Sequence, residues 1–343
     1  LKSAFYLIFC VFLLNSVSQA KVHIFGDLNS DERQLLLQHI KKIDEVFGFK
    51  RAVSDLSINV SSVGGVRYNP FLLIEIDKGR SFQENQLFLP NSSYLTFLTH
   101  EYTHYLVDQW LLPQSPIYRA VLFYTTFIER EGVSWRQYLA NRIQSLESLS
   151  NLLGHNDRVA RMSKEQIAHI RNSIAFERKT FSMALKVCKD LPSLFLESKV
   201  HYSNIYRNLG PIHELLADYS VAAFYDNWGK SGQILEGHLQ QRLQGASPAK
   251  GVSLSEYIQL RGFPEELPSL DVLVKTEDQY LKTAALRVTL RKILSRPNPS
   301  HLRMLVTALD KMIERRYLSL SQNKVSWEQL MSWFLLEINF DHQ

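Results

Sequence analysis

Leu98-Thr99-His100-Glu101-Tyr102-Thr103-His104-Tyr105-Leu106 sets the frame for the rest of the chain. Two histidines stand four positions apart, and a glutamate directly follows the first. On a helix, positions i and i+4 lie one turn apart on one face. His100 and His104 can therefore aim imidazole nitrogens at a single metal ion. Glu101 stands beside them, placed to take a proton from a water held there. Two ligands and a general base drawn from one helical turn form the zinc-hydrolase arrangement. Without a metal, the same spacing is two histidines on an amphipathic helix. Local signals favour the helix: Asn91-Ser92-Ser93 can cap it, and Leu95, Leu98, Tyr102, Tyr105, Leu106 and Trp110 give it apolar bulk. The expected span is Tyr94 to Leu112, stopped by Pro113 and Pro116.

Towards the N-terminus the pattern changes period. Val22 to Phe25 is a short apolar run. Ser30-Asp31-Glu32 opens a helix with an apolar stripe of Leu35, Leu36, Ile40, Ile43 and Phe47, ended by Gly48. Leu56 to Val63 alternates as a half-buried strand does, Gly64-Gly65 turns, and Phe71 to Ile76 reads as a second, more buried strand. This β-α-β-β order leads into the histidine helix. Phe71–Asp77 is the expected antiparallel edge strand beside that helix, able to pair with an extended peptide. An ordinary core strand is the other reading of this segment. Residues 1–20 carry Lys2, an apolar run from Ala4 to Leu14 and the small-x-small sequence Ser18-Gln19-Ala20. They read as a secretory signal peptide cut after Ala20, too short for a comfortable membrane span.

Beyond Pro116 the chain reads as helical. Residues 117–150 and Ser163 to Lys189 are two helical stretches, and Asn208-Leu209-Gly210-Pro211 is an expected turn. Ile212 to Trp228 follows as a strongly apolar helix, and Gly229 to Ser253 as a loop or linker. Three more helical segments lie near 276–295, 299–316 and 326–337. The expected fold class is α+β and mostly helical. A small β-α-β-β sheet subdomain (21–90) packs on a helical, zincin-like catalytic region (91–228), with extra C-terminal helices (229–343).

A catalytic zinc takes three protein ligands and leaves a position for water. The sequence offers two glutamates for the third. Glu214 brings Asp218 with it at i+4, and Asp218 can accept the free N–H of a ligand histidine and fix its tautomer. Two carboxylates on a buried face, with no basic residue nearby in sequence, call for a cation or for donors. Glu131, in Ile128-Glu129-Arg130-Glu131-Gly132, is the alternative; its charged neighbours resemble a solvated patch. His213 precedes Glu214 and is rotated about 100° from it on a helix, so it reads as a flanking residue. Asp108 shares the ligand face at i+4 from His104 and could support the ligands from behind; solvation on the helix surface is the favoured reading. Tyr202 and His201 are candidate donors to an oxyanion.

The H-E-x-x-H of His100–His104, taken with Glu-x-x-Ala-Asp at Glu214–Asp218, resembles the gluzincin metallopeptidases. The second motif is most similar to the CaaX-prenyl and heat-shock membrane metallopeptidases, with a related form in thermolysin-like enzymes. The likeness covers about residues 56–226. It implies zinc held by His100, His104 and Glu214, with Glu101 as base and Asp218 behind a ligand. The Glu131-Gly132 pair resembles the segment that supplies the third ligand in aminopeptidase N relatives.

Composition narrows the function classes. The formal net charge is +5 with 21% charged residues, and the charge is spread along the chain. A polybasic nucleic-acid surface is not indicated. Of the two cysteines, Cys10 leaves with the signal segment and Cys188 remains alone, so no intramolecular disulfide is expected. The expected protein is an exported, periplasmic or secreted, zinc metallopeptidase acting on a peptide or protein, with no nucleic-acid partner and no membrane span after signal cleavage. The rival is a secreted helical scaffold with an idle or structural metal site.

Overall fold

The computed structural model describes residues 22–26, 28–48, 56–61, 66–69, 73–77, 93–129, 200–233, 252–267 and 279–338, with positions 141, 144, 147, 148, 151, 167 and 171. Among these the fold is mostly helical with one small sheet. The signal segment, Glu131, Cys188, most of Ser163–Lys189 and much of the Gly229–Ser253 loop lie outside the described residues.

Strand β1 (Val22–Gly26) leads into helix α1 (Ser30–Phe47) and back to β2 (Leu56–Ser61), which pairs parallel to β1. Asn29 and Glu32 form a capping box on α1, and Gly48 closes it at φ 60°, a left-handed conformation open to glycine. Leu36, Ile40, Ile43 and Phe47 bury the predicted stripe. Two short strands follow, β3 (Val66–Asn69) and β4 (Leu73–Asp77).

The sheet order is β1-β2-β4-β3, with β4 parallel to β2 and β3 antiparallel to β4. This corrects the expected β-α-β-β lead-in to β-α-β-β-β. It also corrects the edge: Leu73–Asp77 lies between two strands, and the antiparallel edge strand is β3. The two long apolar runs are parallel neighbours because β3 is inserted between them in sequence and then pairs outside β4.

Helix α2 (Ser93–Gln114) carries the two histidines and runs through the core. Leu95, Leu98, Tyr102, Tyr105, Leu106, Val107, Leu111 and Leu112 are all buried along it. A helix apolar on most sides must be covered on most sides. It meets α1, where Tyr102 Oη donates to Asp44 at 2.6 Å, and β3. Pro113 sits in its last turn, and Pro116 occupies the first turn of α3 (Pro116–Phe123), capped by Ser115. A π-helical turn, Tyr124–Glu129, follows.

Helix α4 (Tyr202–Phe224) packs along α2. The expected turn at Asn208–Pro211 lies inside this helix. Tertiary contact overrides the local breaker: Asn208 Nδ2 donates to Leu320 O at 2.8 Å and Gln322 O at 3.2 Å, pinning the helix where Pro211 removes a backbone donor. Thr103 Oγ1 and Ser220 Oγ meet at 2.5 Å between α2 and α4.

The C-terminal part contributes α5 (Leu254–Arg261), α6 (Gln279–Lys282), α7 (Ala284–Leu294), α8 (Pro299–Leu320) and α9 (Trp327–Glu337). The last three match the predicted segments. Helix α8 joins the main core through Leu302, Leu305, Leu309 and Met312, while Tyr257, Leu260, Leu281 and Ala284 form a small satellite cluster. No described helix is long and apolar enough to cross a membrane.

Candidate metal centre

Helices α2 and α4 bring His100, His104 and Glu214 together. One ligand atom from each lies within 4.8 Å of the others. Glu214 Oε2 is 3.1 Å from His100 Nε2, and Oε1 is 3.8 Å from His104 Nε2. The imidazole rings stand 5.0 Å apart and nearly perpendicular. Two imidazoles and one carboxylate, converging from two sides and partly open to a cavity, fit a divalent metal with a free coordination position. Glu214 is thus in place as the third donor. Glu131 lies outside the described residues.

Behind this group, Asp218 Oδ1 lies 2.9 Å from His100 Nδ1. Asp218 is fully buried and meets two guanidinium groups. Arg261 Nε and Nη2 donate to its two oxygens at 3.2 and 2.8 Å, and Arg287 Nη2 lies 2.8 Å from Oδ2. The His100 and Arg287 contacts are charge contacts, with the N–H aimed off the line to the oxygen. Arg287 also donates from Nη1 to Arg261 O and from Nε to Thr283. Asp218 has no basic residue close to it along the chain; the C-terminal helices α5 and α7 supply two. Ser231 Oγ donates to Arg261 O, and a Cβ on Gly232 would overlap Ile258 O, so this close approach brings α5 to the site.

Glu101 faces the same cavity. Its Oε2 accepts the backbone N–H of Tyr68, on edge strand β3, at 2.6 Å. Burial lifts its pKa to about 7, opposed by the charge of His100. A base poised near neutrality is matched to proton transfer. Burial disfavours the charged form of each of the other groups, and the charged contacts decide which of them stay ionised. His104 is pushed down to about 4 by burial, against the pull of Glu214. His100 is lifted to about 10, because contacts with Asp218 and Glu214 overcome its burial. Burial would raise Glu214, but His104 and His100 hold it down at about 2. Asp218 is held far below the usual carboxylate range by Arg261, Arg287 and His100 despite its burial.

The cavity measures ≈330 Å³ and is lined by Glu101, His104 and Glu214 on the metal side. Tyr68, Asp108, Tyr118, His213, Tyr206, Leu122 and Gly210 complete the wall. One sequence reading changes here. Asp108 is not solvated: it is 2% exposed and accepts Tyr68 Oη and Tyr118 Oη, each at 2.5 Å. His213 stands outside the candidate donor group but lines the cavity, stacks on Tyr118 and places Nε2 3.2 Å from the Tyr118 hydroxyl. Burial depresses its pKa to about 3, so it is neutral. The proposed donors His201 and Tyr202 start helix α4 about 18 Å of helix rise before Glu214. Neither is in the cavity wall.

Sequence reasoning missed Arg261 and Arg287, which carry no local motif. It also missed Tyr280, whose ring lies beneath the Arg261 guanidinium at 3.7 Å. Compared with known proteins, the chain matches no family model, no curated protein and no solved structure.

Proposed function

We propose that the chain is an exported zinc-dependent metallopeptidase that hydrolyses peptide bonds. His100, His104 and Glu214 hold the metal, Glu101 is the general base, and Asp218 orients His100. The observation that carries this reading is the convergence of His100, His104 and Glu214 on one point, with Glu101 in the same cavity. A bound zinc would supply Lewis acidity, lowering the pKa of a coordinated water and polarising the scissile carbonyl.

The chain's own residues do the rest. Glu101, held by the Tyr68 N–H, accepts the proton of the attacking water and delivers it to the leaving amine. With a metal bound, Asp218 would keep the remaining proton of His100 on Nδ1 and leave Nε2 to serve as the ligand atom. The edge position of β3 suits an extended substrate, which would pair with it by backbone hydrogen bonds. The Tyr68 N–H is already given to Glu101, so substrate pairing at that position competes with the base. The signal-like pattern of residues 1–20 supports a location outside the cytosol.

Metal analysis of the purified protein, followed by comparison with Glu101→Gln, tests the reading. Stoichiometric zinc, metal-dependent peptide hydrolysis and a loss on the order of 10²–10⁴-fold in Glu101→Gln with metal retained are expected. Absence of zinc binding overturns it. Zinc binding without hydrolysis of any peptide supports the rival scaffold reading.

A further inference from the structure

Asp108 is a carboxylate in an unusual position. It lies one turn beyond His104 on the ligand face of α2, about 6 Å further along the axis. It lines the same cavity as Glu101, His104 and Glu214. Its contacts are the hydroxyls of Tyr68 and Tyr118, one to each oxygen. Among the described residues no arginine or lysine reaches it, in contrast to Asp218, which has two arginines.

The hydrogen-bond directions fix its chemistry. His213 Nε2 lies within hydrogen-bond reach of the Tyr118 oxygen, and Tyr118 and Tyr68 each hold a hydroxyl proton towards Asp108. Asp108 is the acceptor end of both chains, the role of an ionised carboxylate. Two phenols soften the burial of that charge but do not neutralise it. Its pKa is lifted by burial to about 7, against both tyrosines, as expected for an anion short of a positive partner.

We propose that Asp108 is a cation-binding subsite of this cavity, taking the ammonium or guanidinium group of a substrate residue adjacent to the scissile bond. The inference rests on the peptidase reading for the word substrate, and on the cavity geometry for the charge. Tyr68 and Tyr118 hold the carboxylate in place and offer aromatic walls to the stem of a basic side chain. The same chemistry fits two sources, an internal lysine or arginine and a free N-terminal amine.

Three matched peptides separate these sources: an N-acetylated peptide with internal lysine, the same with norleucine, and the norleucine peptide with a free N-terminus. With the zinc-loaded protein, one of the two charged peptides should exceed the neutral one by about tenfold or more in kcat/KM. Whichever wins names the source. Asp108→Asn should reduce the advantage of the charged peptide over the neutral one to about twofold or less. Equal turnover of all three by the unaltered protein overturns the proposal. So does an equal loss on charged and neutral peptides in Asp108→Asn, which would make Asp108 only a positioning group for the tyrosines.

Calorimetric binding of the same peptides to zinc-loaded Glu101→Gln provides a readout that needs no hydrolysis. If nothing is hydrolysed, the peptidase reading fails by itself. A charged-over-neutral binding preference then still supports the subsite, and no preference overturns it.

Discussion

Arg287 Nη2 lies 2.8 Å from Asp218 Oδ2, and both side chains are wholly buried. A guanidinium from a C-terminal helix therefore stands directly behind the carboxylate that faces His100. Arg261 still holds Asp218 once Arg287 is removed, so the loss is that of hydrogen bonds to a charged group, about 1.5–3 kcal/mol. Arg287→Met should lower the unfolding free energy by about that much, read by urea denaturation, and weaken metal binding by about tenfold or more. Arg287→Lys keeps the charge but not the three-way contacts to Asp218, Arg261 O and Thr283, so it should recover only part of both losses.

Metal binding should release a proton. With protein groups alone His100 is lifted to about 10 by Asp218 and Glu214, so it is charged at neutral pH, and a metal takes only the neutral imidazole. Apparent metal affinity should therefore rise by about tenfold per pH unit between roughly pH 7 and 9. Competition titration against a chelator of known pH dependence measures this. A flat profile would mean that His100 is neutral before the metal arrives.

Acid should dismantle the site. Glu214 and Asp218 are depressed in the fold, Glu214 to about 2, so their stabilisation is complete above the ordinary carboxylate pKa near 4. It is lost as pH falls from there through their folded values. His104 and His213, depressed to about 4 and 3 by burial, act in the same direction from about pH 6.5 downward, because the unfolded chain takes up those protons first. Glu101 and Asp108, both raised to about 7, act in the opposite direction over the same range, so melting temperatures should change little between about pH 7 and 4 and fall steeply below it as Glu214 and Asp218 protonate.

Gly232→Ala should be costly although the change is small. The new Cβ would overlap the carbonyl of Ile258, a backbone atom that cannot swing away. Overpacking of this kind costs about 1–3 kcal/mol. Because Ser231 and α5 carry Arg261, the same change should shift Asp218 and weaken metal binding. Parallel melting and metal titrations check both effects.

Much of the site could be read along the chain because helices announce themselves locally. The spacing of His100, Glu101 and His104, and that of Glu214 and Asp218, survives into the structure unchanged. What was lost depends on segments arriving from elsewhere. Asp108 has the right helical face, but the sequence does not say that Tyr68 and Tyr118 cover it. His213 is rotated away from Glu214, yet the cavity wraps far enough round α4 to include both. Arg261 follows Asp218 by 43 positions with no motif between them. Strand β3 has four residues, Val66-Arg67-Tyr68-Asn69, too few for an alternation to be recognised. Asn208–Pro211 carries breaker residues, and only the carbonyls of Leu320 and Gln322 explain why the helix continues.

The contact between His100 and Glu214 spans 114 positions, and Asp218 is balanced only by residues later still. During synthesis the ribosome releases the two histidines and the base long before the remaining parts. A chain that stops short of Arg261 lacks both guanidinium partners of Asp218. The complete centre therefore needs the polypeptide through Arg287, well past the last of its metal-facing groups.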